Sequence, residues 1–195
     1  QGVIPFFQEE IHKMLTQLNM KHARLQIELK PSKNLVRTGS DMIAFMFAAN
    51  KGSRLDYIRN VASGGEMSRL ALCTKSLVAD AITLPTLIFD EIDTGVSGDV
   101  ALKMGHILRD LANRHQVISI THTPQIAARA DHHYLVYKYV AGETTLSAVK
   151  LLEKKERINE LIGLLLSCEP PEWLIDWVTS QCEGKLLHLL ESGSL

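Results

Sequence analysis

The sequence predicts an α/β fold in which helices alternate with parallel strands. A helix over residues 64–79 precedes an apolar strand at 86–89, and a helix over 97–113 precedes a second apolar strand at 117–120. This alternation is typical of a parallel sheet with crossover helices. The chain has 195 residues, 46% of them hydrophobic and 22% charged, which suits one ordinary domain or two small ones.

The flanking elements follow from local periodicity. Apolar residues at helical spacing predict an amphipathic helix over 6–20, and alternation predicts a strand over 23–30 that Pro31 stops. The apolar run 42–49 predicts a strand that is buried on both faces, or that lies at a sheet edge under a cover. Residues 50–62 are mixed and polar, which indicates a loop with a short helical turn.

The last elements are a hairpin and a helix. Residues 133–139 and 144–151 alternate and are separated by a short segment that contains Ala-Gly-Glu, which predicts an antiparallel hairpin at the end of the sheet. A helix is expected over 154–166, and the stretch 169–195 holds both tryptophans.

Charge and cysteine content exclude several classes of protein. Lysine and arginine total 21 against 22 acidic residues, which excludes a strongly basic domain that coats nucleic acid. The three cysteines have no paired spacing, which argues against a disulfide scaffold or zinc ribbon and fits a reduced cytosolic chain. No apolar run approaches the roughly 20 residues that span a bilayer, so we expect no membrane partner.

Two acids follow the strand at 86–89. Ligands bind at the carboxyl ends of parallel strands, and alternation along the strand points Asp90 and Glu91 in different directions. Asp90 is suited to hold a hydrated magnesium ion, and Glu91 to orient or deprotonate a water that attacks a γ-phosphate. The alternative is a strand that ends in solvated acids, and the pattern alone does not decide between the two.

Ser63 and Glu66 begin the helix at 64–79 with a capping box, which explains both residues without a ligand. It does not explain Gly64 and Gly65, which cost helix stability and leave bare backbone amides. Bare amides at the positive end of a helix dipole favour a phosphate site.

His122 follows the strand at 117–120. A histidine at this edge can donate a hydrogen bond to a γ-phosphate, although a single histidine is more often structural. The other seven histidines have no partners at zinc-ligand spacing.

In this order the segments resemble the C-terminal lobe of an ABC-type ATPase head. The resemblance implies that Ser63–Glu66 is the signature motif, Asp90–Glu91 the Walker B pair, Asp93 part of the D-loop and His122 the switch histidine. Within that superfamily the sequence is most similar to the RecN family of bacterial SMC-like DNA repair ATPases, and the similarity extends to about Leu161. The stretches that carry it are 39–41, 47–52, 61–69, 90–98 and 121–131.

The resemblance divides the chain into three segments. Residues 1–22 would be a helix that returns from an absent coiled coil, and 23–162 the C-terminal lobe, a mostly parallel sheet flanked by helices with a terminal hairpin. Residues 163–195 would be an atypical helical tail. The chain begins without methionine, and we expect it to be part of a longer protein.

No G-x-x-x-x-G-K-S/T loop occurs in the sequence, so nothing is present to wrap the α- and β-phosphates. The resemblance implies that this loop lies in the N-terminal lobe of the same protein, that ATP and Mg²⁺ bind, and that a second head pairs in a homodimer. ATP on one head would meet Ser63, Gly64 and Gly65 of the other. DNA would be engaged by the full-length assembly, in the cytoplasm and at the nucleoid.

We therefore expect the chain alone to be inactive, as half of an ATPase that acts in DNA double-strand-break repair and recombination. Two alternatives stay open at this point. One is another ABC-type ATPase, such as a transporter subunit or a different SMC-like head. The other is a non-catalytic association module.

Overall fold

Six helices and seven strands form the part of the chain that the computed structural model describes, residues 2–37, 39–82 and 84–166. They belong to two units, Gln1–Ile120 and Thr121–Leu195. In chain order the elements are α1 (Ile4–Gln17), β1 (Arg24–Val36), β2 (Gly39–Ala48), β3 (Asp56–Tyr57), α2 (Ile58–Val61), α3 (Gly64–Ala81), β4 (Thr86–Asp90), α4 (Gly98–Ala112), β5 (Gln116–Ile120), α5 (Pro124–Ala127), β6 (Tyr134–Ala141), β7 (Thr144–Leu151) and α6 (Lys154–Leu166).

The first unit opens with α1 and an antiparallel sheet in the order β1-β2-β3. The predicted stop of β1 at Pro31 is wrong, because Pro31 pairs with Asp41 and the strand continues, with an irregular register, to Val36. A proline is tolerated there because β1 is an edge strand, where a missing N–H need not break the ladder.

The prediction that β2 is buried along its length is also wrong. Met42 is 66% exposed and Ile43 59%, whereas Phe47 and Ala48 at the other end are buried. β3 pairs with β2 near this buried end, through Met46 and Phe47. Hydropathy reports that the whole segment is apolar, but the tertiary neighbours decide which part of it is covered.

The predicted alternation of helices and strands is confirmed in α3-β4-α4-β5. β4 and β5 are parallel, with Ile88 opposite Ile118, and the crossover helix α4 buries an apolar stripe that includes Met104 and Leu108. Leu87 and Phe89 face the core, and Ile88 lies on the exposed face. Among the described strands, this pair is the parallel one, and the other pairs are antiparallel.

The second unit contains the predicted hairpin, in which Tyr134 pairs with Leu151. β6 and β7 form a separate two-stranded sheet among the described residues, so the hairpin does not extend the β4–β5 sheet. A small core of Ala127, Ala128 and Leu161 joins α5 to α6. The Arg157 guanidinium donates to the carbonyls of Ala127 and Ala128, which ties α6 to the end of α5.

The predicted tail lies largely outside the described residues, since α6 ends at Leu166 and both tryptophans come later. None of the described helices combines the length and apolar character that a bilayer span requires.

Candidate functional site

The start of α3 has the capping box that the sequence predicts. The Glu66 amide donates to Ser63 Oγ at 3.4 Å, and the Ser63 amide donates to Glu66 Oε2 at 2.9 Å. The carboxylate half is therefore the shorter of the two hydrogen bonds. Ser63 itself is exposed, and its hydroxyl proton is available to a further acceptor because Oγ acts only as the acceptor in the cap.

The two glycines of this turn differ in their surroundings. Gly64 is exposed, and a Cβ built there would meet no atom within 4 Å. Gly65 is buried, and a Cβ there would lie 2.9 Å from the carbonyl oxygen of Gly95. Only Gly64 thus has the open surroundings that the sequence predicts for both, whereas Gly65 allows two backbone segments to approach closely.

Asp90 and Glu91 are both exposed, and the strand ends between them. Asp90 is the last residue of β4, and Glu91 has left the strand with φ +47°, in the left-handed region. The Glu91 amide donates to the Ile120 carbonyl at 3.0 Å, which holds this turn against the end of β5. Strand alternation therefore does not set the direction of Glu91. A non-glycine residue in this region costs on the order of 1 kcal/mol, and such strain clusters at functional sites.

The loop after Glu91 includes the predicted D-loop residue. Asp93 is 2% exposed, so its side chain lies inside the unit and not on its surface. The Thr94 amide donates to the Glu91 carbonyl at 3.2 Å, and the Val96 amide donates to the Asp93 carbonyl at 3.3 Å. Gly95 has φ +73°, a conformation that glycine adopts without strain.

The structure therefore brings two segments into direct contact, through Gly65 and Gly95. One is the serine-glycine turn (Ser63–Gly65) at the start of α3, and the other is the loop after β4, which contains Asp93–Val96. His122 lies outside this contact. It is exposed and belongs to the start of the second unit, two residues after β5.

Lys75 is a site-adjacent residue that sequence reasoning missed. Its ammonium group, on α3, donates to the Ile88 carbonyl at 3.0 Å and lies 5.2 Å from the centre of the Phe89 ring. This contact ties the middle of α3 to β4, just before the acidic pair. No motif in the sequence marks Lys75, because the contact depends on how α3 lies against the strand.

The chemistry of the donor set fits magnesium better than a transition metal. Across the described ranges there is no group of three or more histidine, cysteine, aspartate or glutamate side chains that could hold a metal ion. Magnesium keeps several waters and is held by one or two carboxylates together with substrate phosphates. The exposed Asp90 can supply such a carboxylate.

Cys73 is buried, and burial raises the pKa of its thiol to about 12, so it is a poor nucleophile.

No family model matches the sequence. Curated proteins are similar to it in sequence, and several of them are named DNA repair protein RecN. The Rickettsia felis protein is 40% identical over 158 residues, which cover 81% of this chain and 29% of that protein. The chain is a relative of RecN. The Haemophilus influenzae RecN is 35% identical over 84% of this chain, and the Vibrio cholerae RecN is 38% identical over 82%. The chain spans about 30% of the length of these RecN relatives.

Solved structures with a similar fold are heads of SMC proteins. An SMC head domain with a coiled coil and joint from Pyrococcus yayanosii has a TM-score of 0.62 at 18% identity, and the match covers 80% of this chain and 28% of that one. A structure from a study of ATP-driven dimerisation and DNA-stimulated activation of SMC ATPases has a TM-score of 0.56 at 18% identity, covering 84% of this chain and 94% of that one. The predicted SMC-head fold class is thereby confirmed for this relative of RecN.

Proposed function

We propose that the chain is the C-terminal half of the ATPase head of a RecN-type protein, which acts in DNA double-strand-break repair and recombination once the rest of the protein is joined to it. The observation that carries this proposal is the direct contact between the serine-glycine turn and the loop after the Asp90–Glu91 pair, in a chain with an SMC-head fold. Similarity to RecN favours this function over the transporter-subunit alternative.

The proposed partner is the N-terminal lobe of the same protein, which would supply the P-loop. The outward face of the β4–β5 sheet supports it, because Ile88, Ile118 and Ile120 are 57%, 44% and 51% exposed. Their register puts them on one face, next to Asp90. A patch of isoleucines on a sheet normally packs against another element, so a lobe that covers this face would also bring phosphates to Asp90.

The residues have separate proposed roles toward ATP. The Ser63 hydroxyl and the amides of the α3 terminus would donate to phosphate oxygens of the nucleotide on the second head. The exposed Glu91 would accept a proton from the attacking water. Its left-handed backbone conformation sets the direction in which the side chain leaves the main chain. His122 would donate to the γ-phosphate. Asp90 would hold Mg²⁺ through a water, and the ion would neutralise phosphate charge.

Glu66 and Asp93 support these roles indirectly. Glu66 accepts from the Ser63 amide, so it orients the serine and does not need to touch the ligand. Asp93 is buried, and we assign it to holding the loop in place, while neighbouring residues of that loop would face the second head.

The heads would pair as a homodimer with ATP between them, and DNA would be bound by the full-length protein in the cytoplasm, at the nucleoid. A formal net charge of −1 fits an assembly in which DNA contacts lie elsewhere. Residues 1–22 would lead from the coiled coil, 23–162 would form the lobe, and 163–195 a tail.

The test is an ATPase assay on this chain, on the separately produced N-terminal lobe, and on the two mixed. Activity should appear only in the mixture, and Glu91→Gln should reduce it by at least about 100-fold, the effect of losing a general base. Glu143→Gln is the matched control, because it makes the same change at an exposed residue of the hairpin turn. Activity in this chain alone, or full activity with Glu91→Gln, would contradict the proposal.

A stable but inactive mixture would favour the second candidate, a non-catalytic association module. The exposed apolar faces of the β4–β5 sheet and of the hairpin are the observations that favour it. Complex formation without turnover, measured by sedimentation of the mixed lobes, would distinguish this function from the first.

A further inference from the structure

The backbones of two segments that are 30 positions apart in the chain lie too close for a side chain between them. A Cβ at Gly65 would lie 2.9 Å from the Gly95 oxygen, 3.3 Å from the Gly95 carbonyl carbon and 3.5 Å from the Thr94 oxygen. All three atoms belong to the backbone, so they cannot move aside as the end of a flexible side chain can. One of the two segments would have to shift.

The neighbouring glycine isolates this effect. Gly64 stands in the same first turn of α3, but a Cβ there would enter open space. Both residues have the same helical setting, so replacing either by alanine removes the same backbone freedom in the unfolded chain. Only at Gly65 does the added methyl group meet the loop after β4.

Both sides of the contact are held in place independently. On the helix side, the Arg69 guanidinium donates to the Gly65 carbonyl at 3.0 Å and to the Leu18 carbonyl at 3.3 Å, which anchors the turn to the end of α1. On the loop side, Gly95 has φ +73° and is flanked by the Thr94 and Val96 amide hydrogen bonds. Because the contact leaves no space between the two backbones, a displacement of one side is transmitted to the other.

We infer that Gly65 is a positioning residue for the loop Asp93–Val96, and that its missing side chain makes this loop and the first turn of α3 move as one body. The consequence for turnover rests on the proposed function. A phosphate that binds at Ser63 would fix the loop that follows Glu91, without any contact between the loop and the nucleotide. Gly65 thus sets the position of the loop that follows the acidic pair, through a backbone contact alone.

Hydrogen exchange on the whole 195-residue chain tests the inference without nucleotide. Gly65→Ala should speed exchange at the Thr94 and Val96 amides by at least about tenfold over Gly64→Ala, because only the first displaces the loop. The Glu91 amide, which is bonded to β5, should exchange equally in the two variants. Equal rates at the loop amides in the two variants overturn the inference, as does a Gly65→Ala variant in which Glu91 accelerates by the same factor.

A measurement on the unaltered chain covers the case in which Gly65→Ala does not fold. As denaturant is raised, the loop amides and the Met67 amide in the first turn of α3 should open together, within about threefold of each other, as one cooperative unit. Opening of the loop at least about tenfold more often than the helix turn overturns the inference.

The ATPase of the mixed lobes then separates the two proposals. Gly65→Ala should lower kcat by at least about tenfold and leave the KM for ATP within about twofold, since the P-loop lobe sets nucleotide affinity. An unchanged kcat overturns the role of Gly65 in turnover. A mixture that is inactive even without substitution contradicts the proposed function, while the exchange results still decide whether Gly65 positions the loop.

Discussion

Ser63→Asp separates the two roles of the residue that begins α3. Aspartate caps a helix about as well as serine, so the capping hydrogen bond to the Glu66 amide can persist. The new carboxylate, however, adds a negative charge where the proposal puts a phosphate. Folding stability and turnover should therefore respond differently to this one substitution.

The structure sets the expected magnitudes. The cap at Ser63 Oγ is 3.4 Å long, beyond the usual range for N–H···O bonds, so its loss in Ser63→Ala should cost only about 0.5 kcal/mol, the low end for N-caps. Ser63→Asp should stay within about 0.5 kcal/mol of the native protein, because the gain from the helix dipole is offset by the nearby Glu66 carboxylate.

The effect on turnover should be far larger. Two unit charges about 4 Å apart repel by roughly 4 kcal/mol at an effective dielectric of 20. Ser63 is exposed, so solvent screens part of this repulsion, and we expect a loss of at least about 100-fold in the ATPase of the mixed lobes. Ser63→Ala, which removes the hydroxyl without adding charge, should lose less.

Urea unfolding followed by circular dichroism measures the first quantity, and steady-state ATPase measures the second. Native turnover with Ser63→Asp would refute the phosphate role of Ser63. A loss of more than about 1.5 kcal/mol in unfolding free energy would refute the capping argument, since it exceeds the usual cost of losing an N-cap altogether.

Two further predictions concern stability. Phe89→Ala should cost about 3–5 kcal/mol of unfolding free energy because Phe89 is fully buried, whereas Ile88→Ala on the exposed face should cost less than about 1 kcal/mol; similar urea midpoints for the two would be inconsistent with the orientation of β4. Burial, with a smaller contribution from the Arg157 charge, lowers the pKa of His133. The folded state then favours neutral His133, so the free energy of unfolding should fall as pH drops through the unfolded pKa of about 6.5. His133→Gln should therefore make the urea midpoint change less between about pH 7.5 and 5.5. The same pH dependence of the midpoint in both proteins would count against this role of His133.

Short-range sequence patterns made much of the secondary structure of the first unit predictable. The alternation of α3, β4, α4 and β5 follows from hydrophobic periodicity, which depends on residues a few positions apart. The capping box also depends on a fixed spacing, because Ser63 and Glu66 satisfy each other's backbone amides within one turn. The acidic pair at the end of β4 needed no long-range information either.

Other features were beyond sequence reasoning because they depend on which segments meet. The exposure of Met42 and the continuation of β1 past Pro31 follow from sheet neighbours, and hydropathy cannot distinguish a covered apolar residue from an uncovered one. The left-handed backbone of Glu91 breaks the alternation that the strand pattern predicts, because the turn is bonded to the end of β5.

The sequence by itself determined the secondary structure around the site and the residue types that resemble an ATPase signature, since both are encoded in short spacings. Only the tertiary structure decided what the two glycines do. Gly64 and Gly65 are adjacent and chemically identical, yet one faces open space and the other lies against Gly95. That difference arises from a contact between segments distant in the chain, because the packing of α3 against the loop after β4 decides which backbone positions have no room for a side chain.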